Sequence, residues 1–195
     1  MIEVFTANTP NGKKITIMLE EIGFDYKITK VNIEKNEQFK PEFEKISPFR
    51  KIPVILDHDK KVNLFESGAI LIYLAEKSGK FYDEKKRTII NQWLIGQMAY
   101  VGPMLGQHHQ FHHYNPGKSK FGEERYFKIS ERIYFELDKR LSISRFLAYD
   151  EYTIADIATF PWIARHDWHD IGLKKYKNLL RWYNEISKRE AVKKG

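Results

Sequence analysis

Glu66 and Ser67 stand side by side where the apolar run Val62 to Phe65 gives way to a helical spacing through Ile70, Leu71 and Leu74. A serine that ends a strand and opens a helix lies at the positive end of the helix dipole, among backbone N–H groups with no partner inside the helix. Such a place binds carboxylates. Glu66 adds a carboxylate for an ammonium group, so the pair has the chemistry to clamp an α-amino acid head group, although Ser67 alone is an ordinary helix N-cap. Ile52-Pro53 is a second candidate. A proline in an apolar strand removes a ladder donor, which either frees the backbone of Ile52 for an extended peptide added as a further strand or simply marks an edge. Third, Thr9-Pro10-Asn11-Gly12 precedes the spacing Ile15, Met18, Leu19, Ile22. A hydroxyl and an amide at a helix start suit the stabilisation of an anion such as a thiolate, although such turns are common.

The chain has no cysteine, which excludes a structural disulfide, a CxxC pair, a thiolate nucleophile of its own and a cysteine-ligated metal. Any thiol chemistry must use a thiol that arrives from elsewhere. His108, His109, His112 and His113 would pair on helix faces as His108 with His112 and His109 with His113, a spacing open to a transition metal. No carboxylate lies within the cluster, so a polar cleft wall is the expectation and no metal is assigned.

Elements that could hold these residues in place follow from apolar periodicity. Ile2 to Thr6 reads as a strand, the turn at Thr9 starts a helix ending at Gly23, and Tyr26 to Ile33 reads as a second strand, parallel to the first through a right-handed crossover. Ile52 to Leu56 and Val62 to Phe65 are close enough for an antiparallel hairpin, and a helix from Ser67 closes at Gly79. The order β-α-β then β-β-α predicts a four-stranded mixed sheet with helices packed on it. Beyond residue 84 the patterns through Trp93, Leu94, Met98 and Val101, through Tyr126, Ile129, Ile133, Phe135 and Leu137, and through Ile154, Ile157 and Ala158 predict a helical bundle. Thr153 to Asp156 reads as a capping box with a structural role. The fold class is therefore α+β, with domains at 1–78 and 84–195.

Hydrophobic residues make up 42% of the 195 residues and charged ones 30%, which fits neither a disordered polyelectrolyte nor a membrane protein. With no signal-like start and no spanning apolar run, a soluble cytoplasmic protein is expected. The net charge of +7 is local: residues 171–195 hold 8 Lys/Arg against 2 Asp/Glu, whereas 1–80 hold 13 against 12 and 81–170 hold 12 against 12. The basic run from Lys174 to Lys194 reads as one amphipathic helix with a solvated face. Without an aromatic-basic stacking motif it gives no reason to expect nucleic acid.

Taken together, Thr9-Pro-Asn-Gly, Phe49-Arg50-Lys51 before Ile52-Pro53, Glu66-Ser67-Gly68-Ala69-Ile70 and the capping box resemble the glutathione transferase superfamily over essentially the whole chain. Gln38-Phe39, Ile46-Ser47-Pro48, Leu64-Phe65-Glu66-Ser67 and Gly102-Pro103-Met104-Leu105-Gly106-Gln107 are similar to its bacterial nu class of disulfide-bond oxidoreductases. The resemblance implies a thioredoxin-like domain followed by an all-helical one, and a cis-Pro53 whose neighbour Ile52 pairs with the cysteinyl part of glutathione. It implies Glu66 and Ser67 on the γ-glutamyl head, Gln38 and Lys51 near the peptide's other polar groups, and Thr9 and Asn11 facing the sulfur. Arg132 would reach the neighbouring subunit's site in a homodimer, and Phe49 occupies the place of an aromatic dimer key in other classes. A short 57–62 hairpin and an early stop after the last helix depart from the pattern and bear on substrate enclosure. The implied activity is thiol-disulfide exchange with glutathione as co-substrate and a small-molecule disulfide as partner. Conjugation of an electrophile and non-catalytic binding of glutathione or a protein are the alternatives.

Overall fold

The computed structural model describes residues 1–195 and divides into two compact units, Met1–Asp83 with Arg189–Gly195, and Glu84–Lys188. In the first unit β1 (Ile2–Thr6), α1 (Pro10–Ile22), β2 (Tyr26–Lys30), α2 (Pro41–Glu44), β3 (Val54–Asp57), β4 (Val62–Phe65) and α3 (Ser67–Ser78) follow in order. The sheet runs β2-β1-β3-β4, with β1 parallel to β2 and β3 antiparallel to both β1 and β4. Helices α1 and α3 pack together, and Val4, Ile15, Met18, Leu19, Ile55, Ile70, Leu71 and Leu74 are wholly buried. Val31, Phe43 and Val54 make a second apolar cluster with Phe5, Ile46, Ile52 and Phe65.

Helix α1 starts where its chemistry dictates. Thr9 Oγ1 accepts the Gly12 N–H at 3.1 Å, Pro10 fills the first turn, and Gly23 closes the helix at φ 75°, the side-chain cap and left-handed stop that helix ends favour. Gly12 is obligatory, because a Cβ there would collide with Thr6 Oγ1 and the Ala7 carbonyl. The second strand stops at Lys30 rather than Ile33, since its partner ends at Thr6 opposite Lys30. The third runs from Val54 to Asp57, two residues later than its predicted start.

In the second unit α4 (Arg87–Gly96), α5 (Gly102–His108), α6 (Lys120–Leu141), α7 (Ile154–Ile163), α8 (His166–His169) and α9 (Lys177–Ser187) are joined by two π-helical turns, Gln97–Val101 and His109–Tyr114. Pro103 lacks an N–H and crowds the carbonyl four residues back, and the widened turn before it absorbs the mismatch. Every residue of α7 is buried, so it forms the centre of the unit. Its capping box is complete, and Asp156 also accepts from Leu147 N and Trp182 Nε1, each at 2.9 Å. Burial pushes the Asp156 carboxyl up to about 6, against the hydrogen bonds that favour its charge.

Two expectations are corrected here. Phe135, taken as part of the apolar stripe, is 52% exposed, and Ile133, Tyr134, Leu137 and Leu141 carry the buried face of α6 instead. The basic C-terminal stretch is two helices, α9 and α10 (Glu190–Lys194), broken at Arg189, whose backbone is extended at φ −67°, ψ 133°. Segment Arg189–Gly195 belongs to the first unit, where α10 packs on α1 and Arg189 Nη2 pairs with Glu21 Oε2 at 2.8 Å. No helix is long and apolar enough to cross a membrane.

Candidate active site

Two helix starts border one small cavity of the first unit. Asn11, in the first turn of α1, and Ser67, the first residue of α3, line a space of about 160 Å³ with Ser47, Phe49, Lys51, Ile52, Pro53, Phe65 and Glu66. The positive ends of both helix dipoles favour an anionic occupant.

The walls follow from local structure. The Ile52–Pro53 peptide is cis, and Ile52 lies beyond the last ladder pairs, Val54 with Phe5 and Phe65. An extended segment laid along Ile52 therefore meets backbone that the sheet does not use. The preceding loop is tied by Ser47, whose Oγ donates to the Lys51 carbonyl at 2.8 Å and accepts the Lys51 N–H at 3.0 Å. Phe49 is 67% exposed and meets Phe65 edge-on at 6.0 Å.

At the other wall Glu66 adopts φ 69°, ψ 113°, a left-handed conformation that a non-glycine residue holds only when its surroundings enforce it. It places an exposed carboxylate directly before buried Ser67, whose hydroxyl lies 3.3 Å from Lys14 Nζ. Lys14 is 1% exposed, and burial lowers its ammonium to about 7, with nearby Glu66 acting in the opposite direction. A carboxylate, a helix start and a buried cation within one corner can hold the two charges of an amino acid head.

Six of the residues that the sequence resemblance places around glutathione, Asn11, Lys51, Ile52, Pro53, Glu66 and Ser67, share this cavity. Thr9 and Gln38 are outside its lining. Thr9 caps α1, and Gln38 lies in a short 3₁₀ turn, Glu37–Phe39, with its Oε1 buried and lacking a hydrogen-bond partner. Arg132 belongs to the other unit, on the solvent side of α6, paired with Glu136 at 2.7 Å beside an apolar cavity of about 250 Å³. Lys14, Ser47 and Phe65 were not anticipated. Lys14 carried a signal, since it falls at i−3 and i−4 from Ile17 and Met18, on the apolar stripe of α1.

The histidines stack rather than converge. His108 lies 4.8 Å from His112, and His109 lies 4.6 Å from His169, a residue outside the sequence cluster. His169 Nδ1 meets the Tyr134 hydroxyl at 2.7 Å, and His108 Nε2 meets the His169 carbonyl at 2.9 Å. No three His, Asp or Glu side chains form a group that could hold a metal.

Comparison with known proteins adds the family. Residues 2–76 match the glutathione S-transferase N-terminal domain and residues 109–190 the C-terminal domain. The disulfide-bond oxidoreductase YfcG of Escherichia coli is 44% identical over 98% of this chain and 93% of its own length. YghU of the same organism, also a disulfide-bond oxidoreductase, is 37% identical over 100% of this chain and 73% of its own. The structure of a Pseudomonas putida glutathione transferase, with one glutathione disulfide bound per subunit, superposes with a TM-score of 0.92 at 39% identity, covering 98% of this chain and 89% of that one. By sequence in both halves and by fold over nearly the whole length, the chain belongs to the glutathione S-transferase family.

Proposed function

We propose that this protein is a glutathione-dependent thiol-disulfide oxidoreductase that works as a homodimer. The observation that carries the reading is Asn11 at the start of α1, in one cavity with Ile52, Glu66 and Ser67, in a chain that has no cysteine. In this reading the Ile52 backbone pairs with the cysteinyl residue of glutathione. Glu66 takes the γ-glutamyl ammonium and Ser67 its carboxylate, while Lys51 and Gln38 approach the remaining polar groups. Thr9 and Asn11 face the sulfur. The Gly12 N–H occupies a lone pair of Thr9 Oγ1, which leaves the Thr9 O–H to donate.

Neither Thr9 nor Asn11 can take up a proton near neutral pH, so their part is stabilisation of the thiolate by hydrogen bonds and the helix start. The thiolate attacks one sulfur of a disulfide RSSR′, a glutathione mixed disulfide forms, and R′S⁻ leaves and is protonated by solvent. A second glutathione thiolate then displaces RS⁻ and yields glutathione disulfide. Names of relatives such as YfcG, and the glutathione disulfide in the Pseudomonas putida protein, support this direction. Turnover of hydroxyethyl disulfide with glutathione, beside a chlorinated nitrobenzene, tests it. Disulfide turnover exceeding conjugation is the expected result, and glutathione binding without disulfide turnover would leave only a binding module.

A further inference from the structure

Lys14 is a buried ionisable group of the first unit that this mechanism leaves without a task. It lies on the inward side of α1, with Nζ 3.3 Å from Ser67 Oγ. In its charged form Lys14 offers donors and no acceptor, so in that form the serine oxygen accepts and its own hydrogen points away from Lys14. We propose, resting on the glutathione reading above, that Lys14 is a positioning residue: it makes Ser67 a donor to the γ-glutamyl carboxylate, supplies the countercharge beneath, and so fixes which way round the amino acid head lies.

The opposite orientation, with the ammonium at Ser67, would bring two cations together and leave Glu66 without its partner. Charged groups around Lys14 fit this assignment. From the start of α3 and the residue before it, Ser67 and Glu66 face it. On α10, the other helix packed on α1, Arg189 is engaged with Glu21 and Lys193 with Glu190. On β1, Glu3 is bonded to Thr29 and His58. Burial, opposed by nearby Glu66, brings the Lys14 ammonium down to about 7. A carboxylate arriving on Ser67 favours its charged form, so binding draws a proton from solution.

S-methylglutathione, whose sulfur carries no proton, and its counterpart lacking the α-carboxylate, S-methyl-γ-aminobutyryl-cysteinylglycine, separate positioning from bulk structure. The wild type should prefer the first by at least about tenfold, the range of a hydrogen bond to a charged group. Lys14→Met should lose most of that preference, whereas a purely structural role would weaken both peptides alike and leave the ratio unchanged, overturning the inference. Should Lys14→Met fail to fold, calorimetry on the wild type just above neutral pH, in buffers of different ionisation enthalpy, decides. Net proton uptake on binding S-methylglutathione is expected, and none or a release overturns the role. A wild type that does not bind S-methylglutathione at all would overturn the glutathione reading itself, a result distinct from binding without discrimination.

Discussion

The indole N–H of Trp182 donates to Asp156 Oδ1 at 2.9 Å, with both side chains fully buried in the helical unit. The same carboxylate accepts the N–H groups of Leu147 and Thr153, tying α7, α9 and the loop before α7 to one atom pair. Asp156→Ala would leave these donors buried without partners and should cost about 3 to 5 kcal/mol. Asp156→Asn keeps one acceptor oxygen and should cost less. Denaturant unfolding followed by far-UV circular dichroism measures both, and an alanine variant within 1 kcal/mol of wild type, roughly the scatter of surface changes, would remove Asp156 from this role.

Asn11→Ala should lower disulfide turnover roughly 10- to 100-fold, the range for a hydrogen bond to a charged group. The pKa of bound glutathione, followed by thiolate absorbance, should rise by about one to two units. Affinity should change less. Thr9→Ala should act in the same direction, with an added loss of helix stability because Thr9 also caps α1. Full rate and an unchanged pH profile in Asn11→Ala would move the sulfur elsewhere.

Glu66→Ala should weaken glutathione by about 1.5 to 3 kcal/mol, since it deletes the partner of a charged ammonium. Calorimetric titration gives the number directly. An unchanged affinity would detach the head group from this corner of the cavity.

Arg132 lies over Phe135 at 5.8 Å and lines one apolar cavity with Tyr100, with Phe135 52% and Tyr100 48% exposed. Exposed aromatics around a cation suit burial between two copies. Light scattering at micromolar protein should give a dimer mass, and Arg132→Ala should lower turnover without unfolding the chain. A monomer of full activity would contradict both statements.

Acid should loosen the helical unit. Burial lowers His109 to about 3 and His169 to about 2, and it also lowers His108. Unfolded histidine titrates near 6.5, so between that value and the folded ones the unfolded chain binds more protons. Stability is therefore full above about pH 6.5 and falls as pH drops, by up to about 1.4 kcal/mol per unit for each histidine. Asp156 acts with the opposite sign: its raised pKa means that its contribution falls as pH rises from 3.8 to about 6. The histidines outnumber it. Urea midpoints measured between pH 7 and pH 5 should decrease on acidification, and a flat profile would contradict the buried neutral rings.

Sequence punctuation made the first unit readable. Thr9 and Gly23 bracket α1, Ser67 and Gly79 bracket α3, and the strands alternate with them. Candidate residues at the two helix starts could be named for the same reason, because their chemistry is that of the boundary itself. Contacts made by tertiary packing were not readable. Phe135 matches the period of α6 yet faces out, Gln38 is half-buried with its Oε1 shielded from solvent, and His169 joins His109 from a different helix. The break at Arg189 escaped because basic and apolar residues keep their helical spacing across it, while the pairing with Glu21 that the break permits spans 168 residues.

That pairing sets an order of assembly. The face of α1 that receives α10 is made early, but its cover is not available until all of Glu84–Lys188 has been synthesised. Until then a nascent sheet unit carries an unfinished side, with Glu21 lacking its arginine. A fragment cut at Asp83 would keep every strand and still lack a wall. Such a unit closes through a contact between residues far apart in the chain, a step that is slow by loop-closure entropy.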